Sequence, residues 1–190
     1  MTNDLDSIEK IIKGDTHSFA LLLEKYKDMV FTLTFRMLKN REEAEEVAQD
    51  TFIKAYKSLN KFKGDSKFST WLYRIAYNTS LDKIKKLKKE QLTVAIDEYT
   101  EGQVRAVENA LDNLERAEQR KMIQDCIQQL PPDSAALLTL YYFDGLSLDE
   151  IAKVLNIKAS NVKVKLFRSR KKLTHILKER IEPEMIRYGA

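Results

Sequence analysis

Two clusters of side chains in this sequence have the types and spacing to handle nucleic acid. The first lies in the run VKVKLFRSRKK. There Lys163, Val164, Phe167, Arg168 and Lys171 share one side of a helix at 3.6-residue periodicity, with no carboxylate among them. Arg and Lys can donate to phosphates or guanine edges, and Val and Phe can touch thymine methyls. Residues 158–180 hold nine Lys/Arg and a single acid, Glu179. A helix charged only for solubility would interleave signs to gain i,i+4 pairs. A plain solvated helix surface is the alternative, and the one-signed run speaks against it.

The second cluster lies in residues 61–89, where nine Lys/Arg face only Asp65 and Asp82, a local charge of +7. Trp71, Tyr73 and Tyr77 are interleaved there with Arg74 and Asn78. Rings stack on unpaired bases, cations follow the backbone, and an amide reads a base edge, which is what a single strand requires. Alternatively, the aromatic residues finish a core and keep their polar tips in water. That is the simpler reading for Trp71 alone, whereas the cluster as a whole favours a strand.

A third surface carries no net cation. Glu46, Gln49, Asp50 and Ile53 fall on one side of a helix, opposite Ala44, Val47, Ala48, Thr51 and Ala55. An apolar residue ringed by polar ones suits a protein interface. A lone exposed Ile is equally compatible with ordinary surface.

The elements that must position these residues are all helical by pattern. A short helix over 5–13 ends at Gly14, and Asp15 caps a helix to about Leu38 whose stripe Phe19, Leu22, Leu23, Tyr26, Val30, Leu33 and Met37 is core. Asn40 and Glu43 open the helix carrying the acidic stripe. The loop Lys63-Gly64-Asp65-Ser66 precedes a helix beginning near Ser66. In that helix Phe68, Leu72, Ile75, Ala76 and Thr79 are spaced to face inward, while Tyr73, Arg74, Tyr77, Asn78, Leu81 and Lys85 turn elsewhere. Residues 90–118 then carry eight acids against two arginines, and QLTVAIDEYTEGQ has no sustained period, which marks a linker. Beyond it come a helix through Leu111, Leu114, Met122, Ile123, Ile127 and Leu130, the break Pro131-Pro132, and the helix AALLTLYYF. Last come two helices joined at Asn156-Ile157-Lys158, the first started by a Ser147/Glu150 capping box. Ser160 stands where it could cap the second. Val162, Leu166, Ser169 and Leu173 give that helix its inward side. The pair reads as a helix-turn-helix whose second helix meets DNA.

The fold class is therefore all-α: two small helical domains joined by a flexible linker, the C-terminal one with a helix-turn-helix. The expected boundaries are 1–88, an acidic linker at 89–108, a C-terminal domain at 109–181 and a tail at 182–190. The lone Cys126 sits in an apolar pattern and is expected to be a buried small hydrophobe. His17 and His175 lie far apart without a cysteine cluster, so neither a metal nor a cofactor is expected. The N-terminus has no apolar run and no stretch approaches a membrane span, so a cytoplasmic chain without direct membrane insertion is expected.

Taken together, EEAEEVAQDTFIKAY, FSTWLYRIAYN and LSLDEIAKVLNI…VKVKLFRSRKKL resemble the extracytoplasmic-function (ECF) sigma factors of bacterial RNA polymerase. The resemblance runs in order along almost the whole chain. It implies an N-terminal domain that binds core RNA polymerase and the minus-ten element, and a C-terminal domain that reads the minus-thirty-five element in promoter DNA. Glu46, Gln49 and Asp50 match positions that grip the clamp of the largest polymerase subunit, with Ile53 beside them. Lys63, Gly64, Asp65, Ser66, Lys67 and Phe68 match a loop that captures a flipped base. Trp71 and Asn78 match the melting and base-reading surface, with Tyr73, Arg74 and Tyr77 alongside. Lys163, Val164, Phe167 and Arg168 match recognition-helix contacts. Where many members have Pro-x-Gly-Thr before that helix, this chain has Lys158-Ala159-Ser160-Asn161. An anti-sigma factor, membrane-bound in many members, is the further partner implied. Two rivals fit less well. A sensor-type regulator leaves the aromatic-basic helix unexplained. An enzyme acting on nucleic acid would need a carboxylate cluster, a glycine-rich phosphate loop or a paired nucleophile, none of which the sequence contains.

Overall fold

The computed structural model describes residues 4–90 and 117–188, and all regular elements among them are helical. Helix α1 spans Asp4–Ile12 and α2 spans Thr16–Leu38. The chain turns between them at Gly14, whose φ of 102° favours glycine. The Asp15 carboxylate then accepts from the His17 and Ser18 amides at 3.0 and 3.3 Å, starting α2. Lys39 ends that helix in the left-handed region, and Asn40 accepts from the Glu43 amide at 3.1 Å to start α3 at Arg41–Ser58. A 3-10 turn at Leu59–Lys61 leads to the basic loop and to α4, Phe68–Glu90. Helix α4 thus begins two residues after Ser66 and continues into the segment expected to be linker. The rest of that segment lies outside the described residues.

The second run contains α5 at Ala117–Ile127 and α6 at Pro132–Leu138. Pro132 occupies the first turn of α6, where a missing N–H costs nothing. The stretch expected as one helix continues instead as a π-helical turn at Thr139–Phe143. Helix α7 (Leu148–Leu155) opens with the full Ser147/Glu150 capping box and closes at Asn156, φ 55°. Helix α8, Ala159–Tyr188, starts one residue before Ser160. Ser160 therefore lies inside the first turn and not at the cap. The amides of Asn161 and Val162 instead reach the Lys158 carbonyl.

One continuous apolar core holds both runs together. Val30, Leu33 and Met37 of α2, Phe52 and Ala55 of α3, and Leu72 and Ala76 of α4 are buried with Ile123, Cys126, Ile127 and Leu137 from the second run. A fully buried Leu or Ile contributes about 1.5–3 kcal/mol, so this shared core is the main reason the helices stay together. Helix α6 lies against α2, and α7 lies against α4. Arg36 reaches across from α2. It is buried, donates from Nη1 to the Gln124 carbonyl at 2.7 Å, and stands 5.6 Å over the Phe143 ring.

This packing changes one expectation. Tyr73 and Tyr77, read as turning away from the core, are 1% and 7% exposed. The cause is tertiary: the C-terminal helices cover that side of α4.

Candidate functional site

On α8, Val162, Leu166, Ser169 and Leu173 are buried, so the remaining side is fixed towards solvent. Lys163, Val164, Phe167 and Arg168 are exposed there, and the Lys171 ammonium lies 5.1 Å from the Phe167 ring centroid. Charge and apolar surface are thus alternated along a single helical side, as base and methyl recognition requires. Arg170, a further cation of the same run, turns the other way. Its Nε donates to the Tyr142 hydroxyl at 2.6 Å, and its guanidinium stands over the Tyr141 and Tyr142 rings. It anchors α8 to the π-helical turn. The adjacent Tyr141-Tyr142 pair is the only sequence signal that could have suggested this.

The second surface centres on the loop before α4. Lys63, Gly64, Asp65 and Lys67 are exposed, Ser66 is half-buried and Phe68 is buried. Trp71 is half-buried, 5.4 Å from the Phe62 ring and 5.6 Å from Phe68. It is therefore both part of an aromatic cluster and open at one side. A hollow of about 410 Å³ beside the loop is lined by Phe62, Ser66 and Phe68, together with Asp4 and Leu5 of α1 and Tyr26 of α2. Sequence reasoning did not include α1 in this site. Asp4 is fixed there by Lys25 and by the Tyr26 hydroxyl, each at 2.5 Å.

Arg74 and Asn78 are exposed on α4. Tyr73 and Tyr77, beside them on α4, are buried. Burial, with the Asp133 carboxylate beside it, pushes the Tyr77 hydroxyl well above the usual phenol range. Burial and the charge of Asp144 do the same to Tyr73. Both hydroxyls therefore stay protonated at neutral pH, and that of Tyr77 donates to Asp133 at 3.2 Å.

Glu46, Gln49, Asp50 and Ile53 are all exposed on α3, Ile53 to 51%. Lys83 of α4 reaches both Glu43 and Glu46, the latter at 2.7 Å, and this hydrogen bond holds the Glu46 carboxyl below its usual range. Beside the stripe runs an apolar groove of about 680 Å³ lined by Phe19, Leu23, Phe31, Phe52, Ile53 and Tyr56 among others. Phe19 and Leu23 were read from sequence as plain core; they are half-buried walls of this groove. Their signal was weak because a groove wall and a core stripe share the same period. Among the described residues no group of His, Cys, Asp or Glu could hold a metal ion, and no helix is long and apolar enough to cross a membrane.

The sigma-70 region 2 family matches residues 22–90 and the sigma-70 region 4 family matches residues 120–173. The ECF RNA polymerase sigma factor SigW of Bacillus subtilis is 39% identical over 181 residues, 90% of this chain and 95% of that protein. This chain belongs to the ECF sigma factors. The RNA polymerase sigma-H factor of Pseudomonas aeruginosa is 37% identical over 186 residues, covering 92% of this sigma factor and 93% of its relative. Two solved structures share the fold. CnrH in complex with the cytosolic domain of CnrY has a TM-score of 0.59 at 21% identity, covering 94% of this chain and 99% of that one. The sigma factor RpoE in complex with the anti-sigma factor NepR from Bartonella quintana also has a TM-score of 0.59, at 19% identity, covering 84% and 96%. In the sigma factor described here, the region 2 match contains the α3 stripe and the α4 surface, and the region 4 match contains the helix-turn-helix.

Proposed function

We propose that this sigma factor joins core RNA polymerase and directs promoter-specific initiation, with the labour divided among the three surfaces. The exposed Glu46–Ile53 stripe and its groove take the polymerase clamp. The loop from Lys63 to Phe68, with Trp71, Tyr73, Arg74, Tyr77 and Asn78, takes the melted minus-ten strand. Lys163, Val164, Phe167, Arg168 and Lys171 read the minus-thirty-five duplex. The observation that carries this reading is the outward side of α8 from Lys163 to Lys171, where Lys163, Val164, Phe167, Arg168 and Lys171 alternate cations and apolar groups without a carboxylate. Residues 1–88 and 109–181, the expected domains, would act as the polymerase-facing and duplex-facing units. The chain itself does the binding and positioning, and the chemistry of RNA synthesis belongs to the polymerase. An anti-sigma factor is proposed as a further partner, because RpoE, which shares this fold, was solved in complex with the anti-sigma factor NepR.

Reconstitution tests the function. The purified chain, added to core polymerase, is expected to yield discrete transcripts from a genomic fragment library, and core polymerase alone is not. Failure to co-elute with core polymerase, or transcripts no different from those of the core enzyme, would overturn it.

A further inference from the structure

Between the C-terminal half of α4 and the helices α6 and α8 lies a hollow of about 480 Å³. It shares no residue with the hollow beside the basic loop or with the groove on α3. Its lining carries five cations, Lys85 and Lys88 from α4 and Lys165, Arg168 and Lys172 from α8. On each helix they are three or four residues apart, so they stack along one side of it. Among the described residues, Lys88, Lys165, Arg168 and Lys172 have no carboxylate within 4.0 Å, and Lys85 meets only its neighbour Asp82, at 4.0 Å. The one acid of the lining, Asp133, already accepts from the Tyr77 hydroxyl. A helix charged for solubility alone would interleave signs. Cations gathered from two helices around one space repel one another, and an anion entering that space relieves the repulsion.

The rest of the lining is largely apolar. Leu81 and Ile84 of α4, Leu137 of α6 and the Pro131-Pro132 pair supply it, and the buried Ser134 and Ser169 add two hydroxyls. A flat ring fits against such a surface, ammonium and guanidinium groups hold phosphate oxygens, and a hydroxyl adds a donor. The size falls among small-molecule sites, about 300–1,000 Å³, and excludes a duplex. We propose that this hollow is a binding site for a nucleoside polyphosphate, its base against Leu81, Ile84 and Pro131 and its phosphates among Lys85, Lys88, Lys165 and Lys172. Arg168 is shared with the duplex-reading side of α8, and the other four cations are not part of that side. The lining comes from both described runs, so the site exists while they pack together, as their shared core ensures.

The test titrates the full chain by isothermal calorimetry with ATP, adenosine and inorganic tripolyphosphate, all at one ionic strength because salt screens charge contacts. ATP is expected to bind once per chain, about ten-fold or more tightly than either fragment, since only the whole ligand uses both kinds of lining. The double variant Lys85→Ala, Lys88→Ala is expected to weaken ATP binding about ten-fold, and Lys172→Ala, from α8, about three-fold. All three side chains are exposed, so circular dichroism should show the fold unchanged. The control Lys10→Ala, Lys13→Ala removes the same charge from exposed positions at α1 and should change ATP affinity less than about two-fold. Binding of a mixed-sequence DNA duplex to the Lys85/Lys88 variant should also stay within about two-fold, as fluorescence anisotropy would report. No ATP binding at about 1 mM would overturn the proposal. Tripolyphosphate binding as tight as that of ATP would do the same, leaving only a bare anion patch. So would an equal loss in the control, which would make net charge the cause. A parallel loss of duplex and ATP affinity in the Lys85/Lys88 variant would make the hollow part of the duplex surface and end the proposal as well.

Discussion

At the scale of single residues, the structure separates side chains that contact outward from those that hold others in place. Arg168 is exposed on the reading side of α8, so Arg168→Ala is expected to leave the fold intact and weaken duplex recognition. A good base contact of this kind is worth about 1–3 kcal/mol, and quantitative footprinting of the upstream element measures it. Asn78 is exposed as well, and Asn78→Ala is expected to spare recruitment but leave start-site bases paired, as permanganate reactivity of thymines would reveal. Trp71 differs because its ring contacts Phe62 and Phe68. Trp71→Ala should therefore both lower the melting temperature and impair strand opening. A pre-melted template should restore initiation by the folded fraction; if it does not, Trp71 serves packing alone. Asp50→Lys, on the exposed stripe of α3, should abolish co-purification with core polymerase while circular dichroism stays unchanged, since surface substitutions away from caps and cores cost little.

At the scale of elements, what was legible in the sequence was local. Asp15, Asn40 and Ser147 announce their helices because a cap is a contact across two or three residues. The buried side of α8 follows from spacing alone. Tyr73 and Tyr77 were misread because their burial depends on helices more than fifty residues away; the Tyr77–Asp133 bond spans 56 positions. The groove beside Ile53 was half seen, since its α3 wall stood out and its α2 wall looked like core. The capping box also carries a pH prediction. Hydrogen bonds from Lys67, then from the Ser147 amide, hold the Glu150 carboxyl down at about 2, against an ordinary value of 4.5. A depressed carboxyl contributes stability that is fully present above the ordinary value and is lost as pH falls towards the folded one. The start of α7 and its contact with Lys67 should therefore loosen between about pH 4.5 and 2. Melting curves across this range should fall more steeply for the parent chain than for Glu150→Gln. Parallel curves would mean that other carboxylates govern acid unfolding.

At the scale of the whole molecule, one core with a buried guanidinium across its middle implies cooperative unfolding of the described helices. Arg36 is costly to bury, and burial lowers its pKa, yet the nearby Asp125 and Asp144 charges favour the protonated form. Its bond to the Gln124 carbonyl ties α2 to α5, and its stacking on Phe143 ties both to the π-helical turn. Arg36→Ala would leave a cavity and remove the Gln124 carbonyl's charged donor, a loss of about 1–3 kcal/mol, whereas Arg36→Met would restore only the packing. The single tryptophan makes the consequence measurable, because Trp71 reports the N-terminal helices alone while far-ultraviolet circular dichroism reports all of them. In the parent chain the two thermal transitions are expected to coincide, as two-state unfolding demands. In Arg36→Ala the circular dichroism should begin to fall several degrees before the Trp71 signal, with Arg36→Met between the two. Coincident transitions in Arg36→Ala would mean that the apolar contacts of α6 on α2 and of α7 on α4 join the units without the arginine.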